Sequence, residues 1–105
     1  MRFTCLTLFF TMLMIAAPSM AADAAAGKTK SATCMACHGP AGISINPMWP
    51  NLAGQQDMYL VKQMKDFRDG KRQDPVMAPM AMSLSDEDIA DLAVYYSGLK
   101  ESPEP

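Results

Sequence analysis

Residues 34–38 read Cys-Met-Ala-Cys-His. On a helix, positions i, i+3 and i+4 share one face, so Cys34, Cys37 and His38 project together, two thiols beside one imidazole. Three kinds of site begin this way: a zinc centre, a dithiol–disulfide redox pair, and a turn that carries a porphyrin through two thioether bonds. The residues around the motif decide among them.

Upstream, the first residues point to export. Met1-Arg2 supplies a short positive start, and Phe3 to Ala17 is an uncharged, mainly apolar run. Pro18-Ser19-Met20-Ala21 then breaks a helix and places small residues where a signal peptidase reads. Residues 1–21 are therefore expected to be a cleaved signal peptide. The run is shorter than the ~20 residues that span a bilayer, so no stable membrane anchor is expected after cleavage. Cys5 lies within the leader and is set aside from the chemistry. Residues 22–105 then form one small domain in an oxidising compartment, the periplasm. At that size a side-chain core alone is marginal, and two cysteines three residues apart would close too short a loop to stabilise much. A bulkier group is expected to complete the core. The chain is mildly acidic, with a formal net charge of −2. That balance argues against nucleic acid as a partner.

Helical signals dominate the rest, and no strands stand out. Residues 23–33 (DAAAGKTKSAT) are alanine-rich and run straight into the cysteine motif, which predicts a first helix from composition more than from pattern. Residues 39–55 (GPAGISINPMWPNLAGQ) carry Gly and Pro throughout and read as a long irregular loop. From Asp57 to Asp69, the apolar residues Leu60, Val61, Met64 and Phe67 recur at helical spacing before Gly70. Residues 71–82 (KRQDPVMAPMAM), broken by Pro75 and Pro79, are expected to be irregular. The last helix is the best marked: Ser85 and Asp88 form a capping-box-like start, and Ile89, Leu92, Ala93 and Tyr96 make its apolar stripe. The tail from about residue 100 is expected to fray.

A four-ligand zinc site needs a second ligand pair, yet beyond residue 38 there is no further cysteine or histidine. A thioredoxin-like pair calls for a preceding strand and a βαβ setting, and neither is visible. Spacing alone leaves a plain disulfide open. Behind an export leader, the reading adopted is a haem anchor, with both thiols added to porphyrin vinyl groups and His38 reaching over the ring to iron.

In combination, CMACHGPAG, WPNLAGQ, a methionine-bearing loop and a short C-terminal helix resemble the bacterial class I c-type cytochromes. The stretch from PNLAGQ through YLVKQMKDFRDGKR to LSDEDIADLAVYYSGL is most similar to one half of the two-haem cytochromes of the c-four type. The resemblance covers essentially all of residues 22–105. It implies an all-α fold, a small class I cytochrome c domain of three main helices and long loops wrapped around one haem c held by Cys34 and Cys37. Only one C-x-x-C-H is present, so the chain is one haem unit, which leaves open a solitary carrier, a dimer or a subunit of a complex.

The same resemblance implies a function: a periplasmic electron carrier, itself not an enzyme, cycling Fe(II)/Fe(III) between respiratory or other transient redox partner proteins. His38 is the expected fifth ligand of iron. A thioether is the expected sixth, being soft, neutral and stabilising for Fe(II). Met77, Met80 and Met82 are candidates; the family places its ligand seven residues before the leucine of the last helix start, here Leu84, which selects Met77. The resemblance also gives the carbonyl of Pro50 a role as acceptor for Nδ1 of His38, against the plainer reading that Pro50 only shapes its loop. Met64 reads as core filler, Met35 as part of the haem-binding turn, and Met48 and Trp49 as core or crevice lining. The basic set Lys62, Lys65, Arg68, Lys71 and Arg72, and the acidic set Asp86, Glu87, Asp88 and Asp91, read as solvated faces before partner-steering patches. Other readings are a cytochrome subunit of an oxidoreductase, a five-coordinate haem sensor of small ligands, or a Cu(I) carrier using the spaced methionines.

Overall fold

The computed structural model describes residues 11–15 and 21–101. The expected signal peptide falls largely outside the described residues, as does the tail beyond Glu101. Among the described residues there are five α-helices and no strand: α1 (Ala24–Lys30), α2 (Met35–His38), α3 (Asp57–Arg68), α4 (Met77–Ala81) and α5 (Asp86–Ser97). No helix among them is long and apolar enough to cross a membrane.

Packing is centred on α5. Ser85 Oγ accepts the N–H of Asp88 and an Asp88 carboxylate oxygen accepts that of Ser85, both at 3.0 Å, so two donors that would be orphaned at the helix start are satisfied. From there the expected stripe is buried: Ile89, Leu92, Ala93 and Tyr96. Leu60 of α3 joins Leu92, Ala93 and Tyr96 in the central cluster, and Cys34, Leu52, Val61, Met64 and Leu84 pack around it. Met64 is thus core filler, and Cys34 is backed by the core itself.

Helix α1 starts where Asp23 Oδ1 accepts the N–H of Ala25 at 2.9 Å, and its last turn carries Lys28 and Lys30, which suit a helix C-terminus. It is shorter than the composition suggests. Ser31–Thr33 tighten into a 3-10 turn, and Ser31 Oγ donates to the Lys28 carbonyl at 2.6 Å. A serine bonding back to its own backbone competes with the helical ladder and resets the axis before α2 begins.

Gly27 is where α1 meets α5. A Cβ there would lie 2.0 Å from the carbonyl oxygen of Asp91 and 2.7 Å from Cβ of Tyr95, so only hydrogen allows the backbones to approach this closely. Beside that contact sits a correction to the expectation of solvated acids. Asp91 is buried, 3% exposed; its carboxylate accepts from Lys30 Nζ at 2.7 Å and from the Asp23 N–H at 2.8 Å. Lys30 also pairs with Asp88 at 2.9 Å. A buried carboxylate is tolerated because both oxygens are bonded. Lys30 holds Asp88 down to about 2 and also lowers Asp91, which the Asp23 amide assists.

The second correction concerns residues 71–82, where α4 forms. Pro79 is its third residue, and a helix's first-turn amides have no intrahelical acceptor, so the missing N–H costs nothing there. Asp74 Oδ1 accepts from the N–H groups of Val76 and Met77, both at 2.8 Å, and this supplies the start signal.

Two outcomes follow. Gly27→Ala is expected to cost about 2–3 kcal/mol in denaturant unfolding of the holoprotein, the magnitude of core overpacking. The carboxyls of Asp88 and Asp91 titrate below the unfolded value of ~3.9, so their stabilisation is present above that pH and is lost as pH falls towards ~2. The unfolding temperature should be level near neutrality and drop below pH ~4, and the drop should be shallower in Asp88→Asn.

Candidate haem site

Cys34 caps the start of α2, and Cys37 and His38 occupy its last two positions. The motif therefore folds as one helical turn, with Cys34 followed by Cys37 and His38 at i+3 and i+4. Gly39 ends the turn at φ 84°, and a Cβ there would meet the Ile43 carbonyl oxygen at 1.9 Å. The chain reverses here in a way that side-chain-bearing residues rarely adopt, and it leads into the 39–55 loop.

That loop is irregular but tied. Gly42 O accepts from the N–H groups of Leu52 at 2.8 Å and Ala53 at 3.0 Å, and Asn51 Oδ1 accepts the Ser44 N–H at 2.8 Å. These bonds fix the place of Pro50, whose carbonyl oxygen lies 2.8 Å from His38 Nδ1. A carbonyl only accepts, so Nδ1 carries the proton, and in the neutral ring this leaves the Nε2 lone pair for a metal. His38 is 6% exposed. A buried neutral imidazole with Nδ1 committed to a carbonyl is set up to ligate a metal through Nε2.

The thiols are free and half-buried. Burial against the core raises the Cys34 pKa, while the Thr33 hydroxyl opposes the rise. Redox-active cysteines need the opposite shift, because the thiolate attacks. Cys34 is thus poorly suited to a dithiol–disulfide pair. Among the described residues no three His, Cys, Asp or Glu side chains gather at metal-binding spacing, so the donor set of a four-ligand zinc centre is missing.

Behind Cys34 lies Tyr96. Its hydroxyl is buried without a hydrogen-bond partner, and burial pushes its pKa upward. In front of the turn an opening of about 240 Å³ is lined by Met35, Cys37, Pro40, Ile45 and Trp49. Trp49 is 38% exposed, Met48 83% and Ile45 fully exposed, so these apolar side chains line or flank the opening and add little to the core. Among the described residues only Ile89 and Leu92 are large hydrophobics buried to below 2% exposure. Free thiols, a tautomer-set imidazole and apolar side chains beside them together fit a porphyrin.

The three candidate methionines differ in shelter. Met77, at the start of α4, is half-buried, whereas Met80 is 43% and Met82 70% exposed. The helix bearing Met77 packs on α3, and α2 packs on the 3-10 turn.

The cytochrome c family model matches residues 24–100. The chain belongs to the cytochrome c family. Membership implies covalently bound haem c, and Cys34 and Cys37 hold the C-x-x-C-H positions for it. The chain is 54% identical over 80 residues to cytochrome c-554(548) of Halomonas halodenitrificans, covering 73% of this chain and 96% of that one. It is 45% identical over 83 residues to a thiosulfate dehydrogenase electron acceptor of Thiomonas intermedia, covering 77% of this chain and 38% of that one. Reduced recombinant cytochrome c4 from Pseudomonas stutzeri superposes with a TM-score of 0.72 at 43% identity, covering 76% of this chain and 47% of that one. This cytochrome thus resembles one half of a c4-type protein and spans about half of its length.

The charged sets named from the sequence are largely paired. Lys62 bonds Asp66, Lys65 lies 4.0 Å from Asp86, and Arg68 bonds Asp69 and Asp86. Arg72 reaches Gln63 at 2.7 Å and lies 4.5 Å from the Phe67 ring centroid. The basic set is a mixed-charge face.

Proposed function

We propose that this cytochrome is a periplasmic single-haem electron carrier whose iron is held between His38 Nε2 and the Met77 thioether. The observation that carries the reading is the His38–Pro50 hydrogen bond, 2.8 Å long. It sets the ring tautomer, restrains rotation of the imidazole and raises its basicity as a ligand. Haem supplies a one-electron Fe(II)/Fe(III) couple when bound. Cys34 and Cys37 would tether it, His38 and Met77 would ligate its iron, and Ile45 and Trp49, which line the opening beside the turn, would offer it apolar contact. With no open coordination site there is no place for a substrate, which fits transfer and not turnover. Shelter supports Met77 over Met80 and Met82, and so does its distance in sequence from Leu84. The leader at residues 1–21 supports export.

A second reading is favoured by one relative: a protein named as a thiosulfate dehydrogenase electron acceptor is 45% identical over 83 residues. On that reading the chain serves as the cytochrome subunit or immediate electron acceptor of a periplasmic oxidoreductase. The redox partner in either case is met transiently.

Met77→Ala should abolish the red-edge absorption band that Fe(III)–thioether bonding produces and lower the reduction potential, because a thioether favours Fe(II). Visible spectroscopy and a potentiometric titration check both. Survival of the band in Met77→Ala with loss in Met80→Ala would transfer the ligand to Met80. Survival of the band in both would point to Met82, and absence of the band from the parent protein would remove the His/Met reading and favour a five-coordinate sensor.

A further inference from the structure

Two arginines flank the loop that carries Met77, and only one reaches across it. Arg72 holds the entry: its N–H donates to the Asp66 carbonyl at 3.0 Å, and its guanidinium contacts Gln63 and Phe67, all within α3. Arg68, in the last turn of α3, reaches the exit. Its Nε donates to Asp69 at 3.0 Å, and Nη1 donates to the Leu84 carbonyl at 3.2 Å and to Asp86 at 2.8 Å. Leu84 and Asp86 stand 16 and 18 residues further along the chain. The Arg68 side chain is 20% exposed and its bond to the Leu84 carbonyl is part-buried, whereas Asp69 and Asp86 face solvent. The Leu84 bond is thus the one formed partly out of water, where a fixed guanidinium fork holds its partner best.

What lies between is a continuous hydrogen-bonded piece. Asp74 holds the amides of Val76 and Met77, Met82 N–H donates to Ala78 O, and Leu84 N–H donates to Ala81 O at 3.0 Å. A displacement at Leu84 is therefore carried back through α4 to Met77.

We propose that Arg68 is a positioning residue for the iron's thioether ligand, closing the base of the loop between Asp69 and Leu84 so that Met77 stays seated. This rests on Met77 being the sixth ligand. Without the closure the loop gains conformational freedom, and its opening is a local equilibrium distinct from global unfolding. The opened form leaves iron available to an external ligand, whose apparent affinity is the intrinsic affinity scaled by the open fraction.

Imidazole titrated into the ferric holoprotein reads that fraction directly. Arg68→Met should raise the apparent imidazole affinity roughly five- to tenfold, the effect of losing one charged hydrogen-bond anchor. Arg68→Lys should restore part of it, since an ammonium can reach one acceptor but lacks the fork. Asp86→Ala, which removes one acceptor and leaves Arg68 in place, should shift in the same direction by less, and it carries the test should Arg68→Met not fold. Gly27→Ala, which lowers global stability at a remote helix contact, should stay within about twofold of the parent. Equal shifts in Gly27→Ala and Arg68→Met would reduce Arg68 to a general stabiliser and overturn the proposal. So would an unshifted Arg68→Met whose Met77→Ala counterpart has lost the thioether band. Retention of the band in Met77→Ala would sink the ligand assignment first, and the role of Arg68 with it.

Discussion

The domain depends on one helical turn being held from two sides. From behind, Cys34 packs on Leu92, Ala93 and Tyr96, so the tether point moves only if the core moves. From the loop side, the Pro50 carbonyl grips His38 Nδ1, and Pro50 is itself placed by the bonds that Gly42 and Asn51 make. A tether and a ligand on adjacent helical positions would be of little use on a flexible segment. Their shared rigidity would orient an attached haem and an imidazole ligand together.

The outer helices serve that turn. α1 and α5 cross at Gly27 with backbone nearly touching backbone, and the Lys30–Asp91 pair locks the crossing at the side. Since α1 leads through the 3-10 turn into Cys34, fixing α1 on α5 fixes where the cysteine motif begins. α3 packs on α5 and on α4, and so relates the methionine-bearing segment to the same core. The side-chain core is thin for the work it does: the large hydrophobics buried to below 2% exposure are Ile89 and Leu92. In so small a domain a covalently held haem supplies the apolar contact area that further core residues would provide in a larger one.

Local patterns were legible in the sequence, and long-range partnerships were not. The α5 cap and stripe could be read from Ser85, Asp88 and the spacing of Ile89 to Tyr96, because both are set within one or two turns. α3 was legible for the same reason. α4 was hidden because two prolines read as breakers, although a proline in a first turn breaks nothing. The burial of Asp91 was hidden because its partner Lys30 lies 61 residues away, and an isolated acid on a helix looks solvated. The reach of Arg68 to Leu84 was invisible on the same grounds. Resemblance to a family pointed to the Pro50 carbonyl; the residues alone could say only that a proline shaped a loop.

The claim on which most depends is that attached haem completes the fold. The direct measurement is denaturant unfolding, followed by far-ultraviolet circular dichroism, of the exported protein with haem attached and of a Cys34→Ala/Cys37→Ala variant made in the same host. Haem-dependent packing predicts a cooperative transition for the first and a broad or absent one for the second under identical conditions. A variant without haem that unfolds as cooperatively as its parent, within about 1 kcal/mol, would contradict it.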